Sequence, residues 1–244
     1  MLRSSNPALS NNIFQSLPVT TTDKMTLQGT VNKTGLLLLF ILFTATFTWQ
    51  QYTLGASTTG WMALGGIGGF IAALITVFKK HLAPITAPIY ALCEGLFLGS
   101  ISALFEARYP GIVIQAVFLT FGTLFSLLAA YRSGLINVTE NFKLGVTAAT
   151  GGIFVFYMLS FVLGFFGIQF SPIYGGGLIG IGFSLVVVVI AALNLVMDFD
   201  FIETGVEQGA PKYMEWYGAF GLTVTLVWLY IEMLRLLSKL RDRR

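Results

Sequence analysis

Charge is scarce in this chain, and so are the residues that most often carry chemistry. Of 244 residues only 10% are Asp, Glu, Lys or Arg, and there is one histidine and one cysteine. A single cysteine excludes an intrachain disulfide and a multi-cysteine metal site, so Cys93 reads as a small packing residue. The single histidine, His81, follows Lys79 and Lys80 at the end of an apolar stretch, the place of a solvated interfacial group. Intramembrane hydrolysis of the zinc or Ser-His type therefore lacks its histidines. H-E-x-x-H, Gly-x-Ser-x-Gly and a phosphate-cradling glycine loop before Lys-Ser/Thr are all missing. Only an aspartyl-type mechanism survives on composition, and it needs two acids meeting across two helices, where the last apolar stretch offers Thr223 and Thr225 but no Asp. The expectation is a protein that is not an enzyme and has no resident cofactor.

Apolar residues fill the space that charge leaves. They make up 55% of the chain, with a mean hydropathy of +0.80, well outside the averages of soluble domains. With about 20 apolar residues needed to cross a bilayer, seven spans are predicted at residues 34–53, 57–78, 83–105, 110–130, 145–168, 174–197 and 216–238. A lipid-embedded backbone must satisfy its own hydrogen bonds, and stretches of this length do so as helices, whereas barrel strands would be half as long. The fold class is therefore all-α, a polytopic membrane protein of seven transmembrane helices. Residues 1–30, polar and carrying Pro7 and Pro18, are expected to be a retained flexible tail, leaving 31–244 as the membrane domain. Short connections leave no room for a soluble domain, so function must reside in the bundle.

Basic residues orient the spans. The tail and the second, fourth and sixth loops hold eight (Arg3, Lys24, Lys33, Lys79, Lys80, Arg132, Lys143 and Lys212), against Arg108 alone in the other loops. This predicts a cytoplasmic N-terminus. Five more (Arg235, Lys239, Arg241, Arg243 and Arg244) crowd the last ten residues, pointing to anionic lipid headgroups rather than nucleic acid. Seven spans would put that basic end outside, against the same rule; a re-entrant last segment would return it.

The few acids stand out against this background. Glu94 falls at the centre of the third span, roughly 16 Å from either surface, where an ionised carboxylate costs about 2.5–3.5 kcal/mol on insertion scales. It is either a neutral, hydrogen-bonded group, with Tyr90 one turn away as a partner, or a carboxylate on a proton or cation path. The sixth span ends in Met197-Asp198-Phe199-Asp200-Phe201-Ile202-Glu203, with Glu207 following. If the helix continues, Asp200, Glu203 and Glu207 share one face as a cytoplasmic acidic rim. Asp198 points about 200° away from Asp200, towards the bundle. In the last span Glu232 and Arg235 lie one turn apart and can pair structurally. Glycines concentrate in the second and sixth spans and read first as close helix packing.

Three segments in this order, Tyr90-Ala91-Leu92-Cys93-Glu94-Gly95-Leu96, Asp198-Phe199-Asp200-Phe201-Ile202 and Leu229-Tyr230-Ile231-Glu232-Met233-Leu234-Arg235-Leu236-Leu237, resemble the Bax inhibitor-1 (transmembrane Bax inhibitor motif) family in its bacterial branch. The resemblance implies a bundle with its last helix at the centre, and a pH-sensitive calcium leak gated by two aspartates on the sixth and seventh helices. By similarity Asp198 takes the sixth-helix position. The partner position falls on Thr223, or on Thr225 if the alignment slips by two. No Arg inside the second span matches the family's basic partner; Lys79 and Lys80 are nearest. The expected path-lining or gating residues are Glu94, Asp198, Asp200, Thr223 and Thr225, with Asp198 and Glu94 meeting calcium transiently. The alternative is a non-conducting regulator that binds a membrane protein partner, such as a quality-control protease, with the tail as its handle.

Overall fold

The computed structural model describes residues 24–167, 173 and 175–243. Among them seven helices are long and apolar enough to cross a membrane. They are α1 (Leu27–Thr53), α2 (Thr59–Phe78), α3 (Ala83–Arg108), α4 (Ile112–Arg132), α5 (Glu140–Phe165), α6 (Leu178–Glu207) and α7 (Met214–Asp242), with a 3-10 turn at Lys80–Leu82. No strand occurs among the described residues, only an isolated bridge between Lys24 and Pro211. The chain is a multi-pass membrane protein. Most of the expected tail lies outside the described residues; its last four, 27–30, already belong to α1.

Several helices outrun the hydropathy windows, because polar turns belong to a helix without being apolar. α1 starts seven residues before its predicted span, at a Thr26 N-cap whose hydroxyl accepts from Gly29 N–H at 3.0 Å. Thr139 caps α5 likewise, accepting from Phe142 N–H at 3.2 Å. α3 opens with Pro84, where a first-turn N–H would have no intrahelical partner.

The described chain forms two compact units. The first comprises α4, α5, α6 up to Phe199 and α7 from Thr225; the second comprises α1 to α3 with residues 200–224. In the second unit α3 packs against both α1 and α2, and glycine sets how closely. A Cβ on Gly99 would run into the Ala45 carbonyl and the Thr48 hydroxyl, and one on Gly95 into the Ile41 carbonyl and Thr44. On the other side Gly65 lies against the backbone of Cys93 and Phe97. Hydroxyls add interhelical bonds: Thr44 Oγ1 donates to the Leu92 carbonyl at 2.9 Å, and the Thr76 and Thr86 hydroxyls meet at 2.7 Å. Beyond the helices, Met25 N–H donates to the Ala210 carbonyl at 2.7 Å, above a core of Met25, Ala83, Phe201, Ile202, Ala210, Met214 and Tyr217.

In the first unit α6 and α7 run antiparallel with a constant register. Asp198 meets Thr225 and, fourteen residues earlier on α6, Ser184 meets Lys239, fourteen residues later on α7. α5 joins them through Asn194 Nδ2, which donates to Thr150 Oγ1 at 2.8 Å, and through the Phe156–Phe183 ring contact, 5.0 Å between centroids. Enclosure differs sharply along the chain. Half of the most apolar stretch of α7 is buried, against 6% for α5, whose Phe154, Met158, Phe161 and Phe165 present an unbroken lipid-facing surface.

Candidate functional site

Asp198 is 6% exposed on α6, with Leu195, Val196, Met197 and Phe199 buried around it in sequence. Thr225 on α7 supplies its side-chain hydrogen bond. Its second oxygen, Oδ2, has no donor among the described residues. An unmet hydrogen bond on a buried polar atom costs about 1–3 kcal/mol, so a carboxyl group held half-satisfied in apolar surroundings is a candidate for function before it is one for stability.

The structure also decides between the two threonines. Successive-but-one positions on a helix point about 200° apart, so only one can face Asp198. Thr223 is buried, but its hydroxyl turns back onto its own helix and donates to the Ala219 carbonyl at 2.7 Å. Thr225 is the residue opposite Asp198, and the acid there has a neutral hydroxyl as its partner rather than a second carboxyl.

Three further acids lie at the end of α6. The helix continues to Glu207; Asp200 is half-buried, and Glu203 and Glu207 are exposed. Asp200, Glu203 and Glu207 belong to the second unit, as does Glu94. Glu94 is half-buried on α3 and faces α2, where a Cβ on Gly69 would come within 3.0 Å of its Oε2. The glycine therefore makes room for the carboxylate. The Tyr90 ring packs edge-on against Phe220, 5.0 Å between centroids, and among the described residues no hydrogen bond joins Tyr90 to Glu94. Among the described residues no group of three His, Cys, Asp or Glu side chains comes together to hold a metal ion.

Glu232 and Arg235 pair as their spacing predicts, Arg235 Nη1 donating to Glu232 Oε1 at 2.9 Å. Sequence reasoning missed the third member. Tyr157 on α5 donates its hydroxyl to the same oxygen at 3.1 Å, and the guanidinium lies over its ring, 5.2 Å from the centroid. Glu232 is 1% exposed, and its Oε2, like Asp198 Oδ2, has no donor among the described residues.

A second missed acid is Glu215, in the first turn of α7 and fully buried. Its carboxylate accepts from Thr26 N–H at 2.8 Å and the Thr26 hydroxyl at 2.7 Å, and pairs with Lys212 at 3.1 Å and with Lys33. Gly29 leaves the space for it, since a Cβ there would collide with the carboxylate. Lys33 also lies over the Trp216 ring, and Lys80, one of the two basic residues nearest the second span, lies over Tyr217. Of the basic C-terminal cluster, Arg235 is held by Glu232, Lys239 by oxygens of residues 173–184, and Arg241 by the Gln115 side chain at 3.1 Å. Arg244 lies outside the described residues.

Neither the curated proteins nor the solved structures contain a match to the chain. A family model described as Bax inhibitor 1 like matches residues 6–242, nearly its whole length, and the chain belongs to that family.

Proposed function

We propose that this protein is a pH-sensitive cation leak or sensor of the cell inner membrane, with calcium as its cargo and Asp198 as its gate. The observation that carries the reading is the buried Asp198 carboxyl, held on one oxygen by Thr225 and with no donor on the other. A carboxylate in that state attracts a cation, which takes oxygen ligands in flexible geometry; once protonated it is neutral and offers a donor instead. Two facing carboxyls would titrate as a coupled pair. With Thr225 opposite, a single proton switches the site. Glu94 is the second candidate path residue, and the exposed Glu203 and Glu207, with Asp200, would raise the cation concentration at a cytoplasmic mouth. The N-terminus would lie on that cytoplasmic side.

The test is calcium flux into proteoliposomes from pH 6 to pH 8. Wild-type protein should give flux above empty liposomes with the steepness of a single proton, and Asp198→Asn should be insensitive to pH. No flux at any pH, from protein shown to be folded, would overturn the leak and leave the non-conducting regulator of a membrane partner as the reading to pursue.

A further inference from the structure

The ammonium group of Lys239 sits in a cage of oxygens. It donates to the Ile173 carbonyl at 2.8 Å, the Gly180 carbonyl at 3.1 Å and the Ser184 hydroxyl at 2.8 Å. Three donors meet three acceptors, so every proton of the ammonium is used. All of these groups belong to the first unit.

Helix electrostatics do not explain the arrangement. A lysine in the last turn of α7 is well placed for that helix's own C-terminal end, yet the side chain reaches Gly180, two residues into α6, where the helix dipole disfavours a cation. Solvation does not explain it either. A terminal lysine near a membrane surface ordinarily extends its head into water, whereas this one is turned onto protein oxygens. What the residues do present is the donor set by which proteins strip a cation of its water: backbone carbonyls supplemented by a hydroxyl. An ammonium group and a potassium ion are of similar size, so the same oxygens suit either.

The cage is also reachable. A pocket of about 160 Å³ adjoins it, lined by Tyr157, Phe183, Arg235, Ser238, Lys239 and Asp242 among others. Lys239 therefore forms part of the wall between the pocket and the buried Ser184.

We propose that the oxygens of Ile173, Gly180 and Ser184 form a binding site for a weakly hydrated monovalent cation, which the chain fills with the ammonium group of its own Lys239. Lys239 is a tethered plug. The site stands independently of the calcium reading; only its effect on flux rests on that reading, since a plug matters to conduction only if the protein conducts.

Two measurements keep the ideas apart. The first is thermal unfolding of the purified full chain in detergent, in rubidium chloride against choline chloride at equal ionic strength. Lys239→Ala should gain a rubidium-dependent rise in Tm of about 3 °C, because an ion that binds only the folded state stabilises it. Wild type, whose site is filled, and Lys239→Ala combined with Ser184→Ala should show no difference between the salts. Absence of a rubidium response in folded Lys239→Ala would overturn the proposal. Should that variant not fold, Lys239→Cys with Cys93→Ser takes its place. It should respond to rubidium before reaction with an aminoethyl thiosulfonate, which restores a tethered ammonium, and not after; a response unaltered by the reagent overturns the proposal.

The second measurement is flux through Lys239→Cys, Cys93→Ser, which should exceed that of Cys93→Ser at least fivefold and fall back after aminoethylation but not after methylthiolation. A rubidium response with no flux in any variant would retain the site and sink the leak. Flux with no rubidium response would do the reverse.

Discussion

Three buried acids divide the molecule into two kinds of region. Glu215, in the second unit, receives two hydrogen bonds from Thr26 and two lysine partners, so both its oxygens are engaged. Asp198 and Glu232, in the first, are equally enclosed, yet each keeps one oxygen without a donor. A carboxylate surrounded by donors ties elements together, whereas one left half-satisfied carries an unmet hydrogen bond that does nothing for the fold, and at Asp198 that opening is what the proposed gate rests on. The glycines follow the division only in part. Gly65, Gly95 and Gly99 of the second unit lie against neighbouring backbone, though Gly35 and Gly60 do not; Gly122, Gly145, Gly151 and Gly164 of the first have open space where a Cβ would be, though Gly176 lies against the Lys239 carbonyl.

The contrast can be broken most decisively at Lys33. Lys33→Met takes the lysine partner from Glu215 Oε2, while Lys212 and Thr26 still hold Oε1, and should lower stability by about 3 kcal/mol, read by denaturation in detergent; Asp198→Asn should change it by less than about 1 kcal/mol. Equal losses would abolish the distinction between the two acids. Next in size, Gly99→Ala should cost about 2 kcal/mol through overpacking against α1. Gly122→Ala should be neutral or stabilising by about 0.5 kcal/mol, because helix propensity is all that changes. The smallest effect sharpens the proposed gate. Thr225→Val removes the hydrogen bond to Asp198 and should change calcium flux at pH 7 by about fivefold, the equivalent of about 1 kcal/mol, while Thr223→Val, which loses only a bond to its own helix, should stay within about twofold of wild type.

The seven helices were legible because a bilayer demands long apolar runs, and nothing else in this composition could satisfy a lipid-embedded backbone. Asp198 was legible for the converse reason: an acid at the end of such a run is conspicuous. Its partner was not, since Thr223 and Thr225 are chemically identical and only the rotation of α7 chooses between them. Glu215 escaped notice because it sits one residue before the predicted last span, where acids are commonplace, and its partner Lys33 is 182 residues away in sequence. Tyr157 and Ser184 were hidden in the same way, as ordinary members of apolar spans until a neighbouring helix supplied Glu232 and Lys239. Residue spacing reports local pairs such as Glu232 with Arg235; it carries no information about which distant helix arrives beside them.

The cap of α1 has a consequence in time. The hydroxyl of Thr26 closes the start of the first helix and is itself held by Glu215, 189 residues later. At a synthesis rate of about 5–20 residues per second, the first span waits roughly 10–40 s after leaving the ribosome before the acid that secures it exists. During that interval it is inserted but unlatched, and a chain cut short before Glu215 would never acquire the latch. The same contact that steadies the finished protein thus distinguishes a completed chain from an interrupted one.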